Sequence, residues 1–333
     1  MKFSIIIPVY NRESYIDETL SSILQQTYTD WEVICIDDCS TDASLEKLYA
    51  YANNDKRIKV IAHHNNLGPH CARKTGVVQA SGDYMLFLDC DDMLAVSACQ
   101  TLYDELSKNR CDIVEFAYES NTVGTICYPV QFITIDNLFD SLVYFKNPRA
   151  GTVWNKVYKK ELLQYAFLQM KDFYSIMGED LYESIVIAYY AESYRFIQTP
   201  LLFYNDETGI SNKRSNAAAV GRSLDSIKNN LDAFDIFFTT IAVDKPDAVI
   251  YIEQQYLKYV FYYLILGNTD KKEQRAALNL LPDYFTAEAL LPYQKKLKQT
   301  TIGLQCVYIK YRFMCAVKSW TPVSIKQLIK RML

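Results

Sequence analysis

Short apolar runs alternate with helical segments through the first 120 residues, and this alternation restricts the fold more than any other feature of the chain. The runs at 3–9 and 84–88 are apolar throughout most of their length, which is typical of strands buried on both faces. Between them, residues 14–26 carry apolar side chains at helical spacing, and residues 68–80 are also predicted to be helical. Such alternation produces a mainly parallel sheet with helices on both faces, so we predict an α/β fold.

Further strands of the regular part are predicted at 31–36, 57–62 and 112–117. After residue 117 the pattern becomes less regular. There we predict a pair of short strands at 194–198 and 201–205, and helices at 132–146, 159–166 and 181–190. Residues 206–219 are polar and rich in turn formers, and beyond them only helical patterns remain. We therefore place a domain boundary near residue 215, between an α/β domain at 1–215 and an all-helical region at 216–333.

The composition predicts a cytoplasmic protein with a large core. Of the 333 residues, 50% are apolar, which is enough for two domains. No run approaches the ~18 apolar residues that a membrane span needs. The apolar N-terminal segment ends at Pro8 without a small-residue cleavage site, so we interpret it as a first strand and not as a signal peptide. Nine cysteines without a Cys-x-x-Cys pair indicate reduced thiols.

The charges are distributed unevenly along the chain. Residues 289–333 contain nine Lys or Arg and no Asp or Glu, although the whole chain has a net charge of −4. The acidic body argues against nucleic acid as a partner. Basic, aromatic and apolar residues mixed at 303–333 are what a helix on an anionic membrane surface requires. A helix that packs on the body or on a second subunit of a homo-oligomer explains the same pattern, and both interpretations stay open.

Three carboxylates, those of Asp89, Asp91 and Asp92, follow the predicted strand at 84–88 within four residues. Open α/β sheets bind their ligands at the carboxyl ends of strands, and a cluster of like charges repels itself unless a cation joins it. Oxygen ligands favour Mg²⁺ or Mn²⁺, and such metals usually accompany a phosphate. The cluster therefore predicts a metal-dependent enzyme that acts on a nucleotide diphosphate.

Nine segments with chemistry-bearing residues follow one another in a specific order. They lie at 5–11, 22–27, 32–42, 66–68, 72–73, 82–84, 89–92, 154–159 and 178–180. This series resembles the family 2 glycosyltransferases and covers residues 1 to about 210. The resemblance implies a GT-A fold, which is Rossmann-like with a mainly parallel sheet and flanking helices, and an inverting reaction that uses a nucleotide sugar.

The resemblance also implies a nucleotide site at the ends of the first two strands. Pro8, Val9 and Tyr10 correspond to positions beside the nucleotide base. Asp38, the second Asp of a pair, corresponds to the residue that accepts a hydrogen bond from uracil. A simple strand-to-helix turn is the structural alternative for Pro8, Val9 and Tyr10. For Asp37, which can cap the following turn, and for Asp38, a purely structural role is the alternative.

The next segments carry the residues expected at the diphosphate and the ribose. The forked guanidinium of Arg73 suits diphosphate oxygens or a base edge, and an ion pair with a carboxylate of the same cleft is its alternative role. The family often has Asn after this Arg, where this chain has Lys74. Asp89 is assigned to the ribose, with Cys90 beside it in the donor-binding set.

The remaining catalytic roles are also assigned through the resemblance. Asp91 is the expected ligand of Mg²⁺ or Mn²⁺, and Asp92 either adds a second metal contact or holds the following turn. The metal would neutralise charge on the departing diphosphate. On the opposite face a base must take the proton from the acceptor hydroxyl. Asp180 holds the family's position for this base with Glu179 as the reserve, and helix capping is the alternative.

We therefore predict a hexosyl- or N-acetylhexosaminyltransferase that moves one sugar from a nucleotide diphosphate, UDP above all, to a hydroxyl of a glycan. The expected context is bacterial surface polysaccharide synthesis on the inner face of the cytoplasmic membrane, with an acceptor that can be lipid-linked. Trp154 and Asn155 are assigned to the acceptor site or to the scaffold. A catalytically inactive nucleotide-sugar-binding or scaffolding protein of the same fold is the alternative. A dehydrogenase is excluded because no Gly-x-Gly-x-x-Gly follows the first strand.

Overall fold

The computed structural model describes residues 1–122, 124–126, 151–208, 223–244 and, with interruptions, 253–293. The chain divides into two compact units, Met1–Ala218 and Ala219–Leu333. The boundary predicted near residue 215, the helix predicted at 132–146 and the basic segment 303–333 all lie outside the described residues. Each unit is therefore described from its own elements.

The first unit contains one mixed sheet with helices. Its strands are β1 (Phe3–Val9), β2 (Trp31–Asp37), β3 (Ile58–Ala62), β4 (Tyr84–Phe87), β5 (Met93–Leu94), β6 (Ile113–Ser120), β7 (Gly124–Ile126), β8 (Lys156–Lys159) and β9 (Tyr194–Tyr204). Its helices are α1 (Ile16–Leu24), α2 (Ser44–Asn54), α3 (Pro69–Gln79), α4 (Ala98–Lys108), α5 (Lys160–Gln169) and α6 (Glu179–Tyr190). The predicted α/β class is confirmed.

The sheet is parallel in one half and mixed in the other. The strand order is β3-β2-β1-β4-β8-β6-β9-β5, with β7 paired to β6. Neighbouring strands from β3 to β4 are parallel, whereas β8 is antiparallel to both β4 and β6. Strand β9 is parallel to β6 and antiparallel to β5. The alternating pattern of the first 90 residues thus builds the parallel half, and the less regular chain that follows builds the rest.

The prediction of two short strands that pair with each other at 194–198 and 201–205 is wrong. The structure has a single strand, β9, whose register with β6 shifts between Phe116, opposite Ile197, and Ala117, opposite Pro200. The extra residues form a bulge, which accommodates Pro200 because a proline cannot donate to the ladder. A proline preceded by polar residues therefore looked like a turn in the sequence, although the strand continues through it.

The core of the parallel half is tightest where α3 crosses β1 and β2. A Cβ atom built on Gly76 would lie 2.3 Å from Ile6 Cγ2 and 2.9 Å from Ile36 Cδ1. Glycine at this position therefore lets α3 lie directly on the sheet. This close approach places the first turns of α3 beside the carboxyl ends of β1, β2 and β4.

The second unit is helical in its described residues, which confirms the predicted C-terminal helical region. It contains α7 (Leu224–Asp244), a π-helical stretch (Val260–Ile265) and α8 (Lys271–Tyr284). Asp270 caps the start of helix α8, since its side chain accepts hydrogen bonds from the amides of Lys272 and Glu273. In the described parts of the chain, no helix is both long and apolar enough to cross a membrane.

Candidate active site

The carboxyl ends of β1, β2 and β4 lie side by side and carry the polar residues of the candidate site. Tyr10 follows β1, Asp38 follows β2 and Asp89 follows β4 after one apolar residue. The strand order reverses between β1 and β4, because β2 and β3 lie on one side of β1 and β4 lies on the other. Such a switch point opens a crevice at the strand ends, where ligands bind in open α/β sheets.

Exposed apolar and aromatic side chains lie beside the ends of β1 and β2. Tyr10 is 45% exposed and Leu67 is 42% exposed. Tyr174 lies in the same region, since a Cβ on Gly68 would lie 3.2 Å from Tyr174 Cδ2. Burial, together with the neighbouring Tyr10 and Asp38, raises the pKa of Tyr174. These side chains are of the aromatic and apolar kind on which a flat ring can stack.

Two of the predicted donor-site residues have side chains that face the core. Val9 is fully buried and Cys90 is 4% exposed, and both belong to the main hydrophobic cluster. Pro8 is half-buried on β1. A donor contact from Val9 or Cys90 would therefore have to come from the main chain, whereas Tyr10 can offer its ring.

Asp38, which follows β2 beside these side chains, is held by three polar contacts. Its Oδ1 accepts hydrogen bonds from the Leu67 amide at 2.9 Å and lies 2.7 Å from His63 Nδ1, and its Oδ2 accepts from the Gly68 amide at 2.7 Å. Gly68 has φ +84°, a conformation that favours glycine. Asp38 thereby anchors the entry into α3.

The three carboxylates after β4 occupy different environments. Asp92 is buried, and its Oδ1 accepts from the Asn205 amide at 2.9 Å, while its Oδ2 is buried and has no partner in the described part of the chain. Asp91 Oδ2 accepts from Thr208 Oγ1 at 2.8 Å and lies 3.7 Å from Arg12 Nε. The turn at 205–208 therefore holds both Asp91 and Asp92.

Burial and the repulsion between neighbouring carboxylates raise the pKa of Asp89 and Asp92. Burial raises the pKa of Asp89 to about 6, with Asp180 and Asp91 adding to the effect and Arg73 opposing it. Burial and the nearby Asp89 carboxylate raise the pKa of Asp92 well above its ordinary value. A cation would stabilise the ionised forms of these groups.

Arg73 on α3 connects the end of β4 with the start of α6. Its guanidinium is 3% exposed and lies among four carboxylates. The Nη1 atom lies 2.6 Å from Asp180 Oδ1, 3.1 Å from Glu183 Oε2 and 3.7 Å from Glu179 Oε1, and Nη2 lies 3.6 Å from Asp89 Oδ1. The ion pair that the sequence offered as the alternative role for Arg73 is therefore present.

The two candidate bases differ in their accessibility. Helix α6 begins after Gly178, which has φ +93°, and Glu179 and Asp180 form its first turn. The side chain of Asp180 is 30% exposed, whereas that of Glu179 is 8% exposed with a buried Oε2 that has no partner among the described residues. Burial raises the pKa of both carboxyls, against the opposing effect of Arg73. Asp180 is the one that an acceptor could reach.

Lys74, which stands where the family often has Asn, contacts the segment before α6. Its Nζ binds the carboxylate of Asp172 and the main-chain oxygen of Met170. Cys71 Sγ donates to the main-chain oxygen of Phe173 at 3.8 Å. Together with Arg73, these contacts attach α3 to the segment that leads into α6.

Trp154 and Asn155 belong to the scaffold in this structure. Trp154 is 6% exposed and stacks on Tyr204 with ring centroids 4.7 Å apart. Asn155 is fully buried, donates to Glu115 Oε1 at 3.3 Å and accepts from Lys156 Nζ at 3.1 Å. Both residues thus support β6 and β8 below the site.

Sequence reasoning did not assign roles to Glu183, His63, Arg12 or Thr208. Glu183 lies three residues after Asp180 on α6, and this helical spacing was a signal that both face the same side. His70, three residues before Arg73, is fully buried, and its Nδ1 lies 2.9 Å from Glu183 Oε1. The remaining contacts join residues that are far apart in the chain, so no local pattern indicated them.

The residues present fit a divalent metal that takes few protein ligands. Four carboxylates surround the single guanidinium of Arg73, and Asp92 has a buried oxygen without a partner in the described residues. Among those residues, no three His, Cys, Asp or Glu side chains converge into a preformed cage. Mg²⁺ commonly keeps several waters and binds one or two carboxylates plus phosphate oxygens, so Asp91 and Asp92 suffice as its protein ligands.

Comparisons with known proteins show which family the chain belongs to. The family described as Glycosyl transferase family 2 matches residues 4–170. An uncharacterized glycosyltransferase of Bacillus subtilis strain 168, EpsJ, is 36% identical over 172 residues, which are 50% of this chain and 50% of EpsJ. The poly(ribitol-phosphate) beta-glucosyltransferase of Bacillus spizizenii is 41% identical over 116 residues, 34% of this chain and 18% of that protein. The chain thus spans about half the length of EpsJ and less of the second relative.

Among solved structures, the chain is similar to S. aureus TarS 1-349 in complex with UDP-GlcNAc. The TM-score is 0.68 at 20% sequence identity, and the likeness covers 87% of this chain and 81% of that one. At this identity the likeness shows the fold alone, and it confirms the predicted GT-A architecture.

Proposed function

Because the chain belongs to glycosyl transferase family 2, we propose that it transfers one sugar from a UDP-sugar to a hydroxyl of a glycan, with inversion at the anomeric carbon. One observation carries this proposal: the Arg73 guanidinium joins Asp89, on the side of the diphosphate, to Asp180, on the side of the base. The carboxylate on the leaving-group side and the carboxylate that would act as the base are thereby held at a fixed separation. A displacement at a single carbon requires such positioning of both groups.

The nucleotide would bind at the ends of β1 and β2. Its base would lie beside the Tyr10 ring, and Asp38 would accept a hydrogen bond from it. The main chain around Pro8 and Val9 would border the base, and the carboxylate of Asp89 would contact the ribose, with the main chain of Cys90 beside it. The bound UDP-GlcNAc of the TarS structure supports a uridine nucleotide for this fold.

Asp91 and Asp92 are the residues that would hold Mg²⁺ or Mn²⁺. The metal, when bound, neutralises negative charge on the departing diphosphate. The Thr208 hydroxyl and Arg12 orient Asp91, and the Asn205 amide orients Asp92. These contacts keep the carboxylates in place before a donor arrives.

Asp180 would act as the base. As the acceptor oxygen attacks the anomeric carbon, the bond from that carbon to the diphosphate oxygen breaks and the hydroxyl proton passes to Asp180 Oδ. Burial raises the pKa of this carboxyl above its ordinary value, which makes the carboxylate a stronger base. Arg73 holds the carboxylate in position at 2.6 Å.

The acceptor is proposed to be a glycan of the bacterial cell surface, assembled at the cytoplasmic face of the membrane. The name of the Bacillus spizizenii relative, a poly(ribitol-phosphate) beta-glucosyltransferase, supports a surface polymer. Peripheral attachment through residues 303–333 belongs to the same proposal. Liposome flotation with and without these residues tests it, and equal binding by both forms contradicts membrane attachment.

A panel of nucleotide sugars tests the donor proposal. We expect UDP-sugars to bind and to be hydrolysed slowly in the presence of Mg²⁺ or Mn²⁺, and the released sugar to have the anomeric configuration opposite to that of the donor. Binding without any hydrolysis or transfer would favour a catalytically inactive binding protein. If no nucleotide diphosphate binds with either metal present, the proposed function is wrong.

A further inference from the structure

We propose that His63 is a positioning residue that holds Asp38 as an anionic acceptor aimed at the nucleobase, and so determines a preference for uracil over cytosine. This inference rests on the proposed function, because it concerns the same nucleotide site. His63 lies just after β3, outside the segments whose roles the sequence assigned.

The His63 ring is fixed on both sides. Its Nδ1 lies 2.7 Å from Asp38 Oδ1 and its Nε2 lies 2.9 Å from Thr75 Oγ1. The side chains of His63 and Asp38 are 10% and 5% exposed. A ring held between α3 and the end of β2 has no freedom to turn, so it fixes the orientation of the carboxylate that it contacts.

The hydrogen bonds of Asp38 indicate which atom donates between it and His63. Because Asp38 already receives the Leu67 and Gly68 amides, it is an acceptor. His63 Nδ1 therefore donates to Asp38 Oδ1. Thr75 Oγ1, which lies 2.9 Å from His63 Nε2 and donates to the Cys71 main-chain oxygen at 3.0 Å, fixes the ring from the other side.

The remaining capacity of Asp38 selects the base. A carboxylate oxygen can accept two hydrogen bonds. Oδ1 receives two donors, from His63 and Leu67, whereas Oδ2 receives one, from Gly68. Among the described residues, one acceptor position is therefore left on Oδ2. Uracil presents an N–H at ring position 3 to such an acceptor, whereas cytosine presents a lone pair there and would be repelled.

Calorimetric titration with UDP and CDP, in the presence of Mg²⁺, tests the inference. We expect the wild-type protein to prefer UDP by ~10-fold or more, since a tenfold ratio corresponds to one charge-assisted hydrogen bond of about 1.4 kcal/mol. His63→Leu removes the donor to Asp38 and should weaken UDP binding ~10-fold with little change for CDP. His63→Gln keeps one donor and should restore part of the preference.

The chain offers a matched control in the adjacent residue. His64 is exposed, and His64→Leu should leave the UDP-to-CDP ratio unchanged. Thr75→Val removes the second contact of the ring while keeping its own volume, and should lower the ratio less than His63→Leu does. Should His63→Leu fail to fold, Thr75→Val and nitrogen NMR of the wild-type ring take its place, and we expect Nδ1 to carry the hydrogen that is shared with Asp38.

The possible failures are separable. Equal weakening of UDP and CDP by His63→Leu, or an NMR spectrum without a hydrogen on Nδ1, would overturn the inference and leave the proposed function intact. Absence of UDP binding by the wild-type protein would overturn the proposed function, and this inference with it.

Discussion

Arg73 Nη1 lies 2.6 Å from Asp180 Oδ1, so a residue on the helix after β3 directly contacts the carboxylate at the start of α6. The second amino group of the same guanidinium lies 3.6 Å from Asp89 Oδ1. A planar, permanently charged group is suited to such bridging because its donors point in fixed directions. The distance between the two carboxylates is thereby set by one side chain.

Replacing Asp180 with Asn should abolish transfer while preserving nucleotide binding. The amide keeps the shape of the side chain but cannot accept the acceptor proton, so we expect the transfer rate to fall by ~10²–10⁴-fold. UDP affinity, measured by titration calorimetry, should change little. Asp104→Asn, at an exposed position on α4, is the matched control. Full transfer activity in Asp180→Asn would move the base to another residue.

Glu183→Gln should destabilise the fold and slow transfer. Glu183 is fully buried, accepts from Arg73 Nη1 at 3.1 Å and lies 2.9 Å from His70 Nδ1. Removing its charge weakens two charge-assisted hydrogen bonds, and we expect a loss of about 2–4 kcal/mol in the free energy of unfolding, measured with urea. Glu105→Gln, which weakens surface pairs with Lys108 and Arg195, should cost less than about 1 kcal/mol. Equal losses in both variants would contradict this assignment.

Thr208→Val should raise the metal concentration that transfer requires. The Thr208 hydroxyl donates to Asp91 Oδ2 at 2.8 Å, and loss of such an outer contact typically weakens metal binding by ~10–100-fold. Titration of Mg²⁺ or Mn²⁺ against donor hydrolysis measures the half-saturating concentration. Removal of the metal with a chelator should stop hydrolysis in both proteins. An unchanged metal requirement in Thr208→Val would show that Asp91 needs no support from this turn.

The free energy of unfolding should decrease on acidification, in part because of Glu32. Burial alone would raise the pKa of this carboxyl, but hydrogen bonds from Lys59, the Ser81 amide, Ser4 and Lys2 lower it far below its ordinary value of 4.5. A depressed pKa in the folded state stabilises the protein above the unfolded value, and this stabilisation is lost as the pH falls below it.

The measurement compares Glu32→Gln with the wild-type protein by urea unfolding at two pH values. At pH ~7 the variant should be less stable than the wild-type protein by about 1–3 kcal/mol. Near pH ~3 this difference should shrink, because Glu32 of the unfolded chain is then protonated and the stabilisation from its depressed pKa decreases. Glu161→Gln, at an exposed position in the first turn of α5, should show no such change. A difference that grows on acidification would contradict the assignment.

Much of the fold could be predicted because its signals are local. The runs at 3–9 and 84–88 became β1 and β4, since a stretch of consecutive apolar residues is buried on both faces wherever the sheet forms. The prediction failed at Pro200, where a bulge in a long strand has the same local composition as a turn. Local composition does not reveal which strand lies opposite, and the partner strand decided between the two.

The amino-acid sequence by itself determined that carboxylates would follow β2 and β4 and begin α6, because an element's end and the residue after it are properties of neighbouring residues. It also determined the family, through the order of its motifs. Only the tertiary structure decided what those groups contact. Arg73 binds Asp180 and Glu183 across more than 100 positions of sequence, and His63 reaches Asp38 across 25. Electrostatic partners depend on distance in space, and packing of α3 against the sheet and α6 sets those distances.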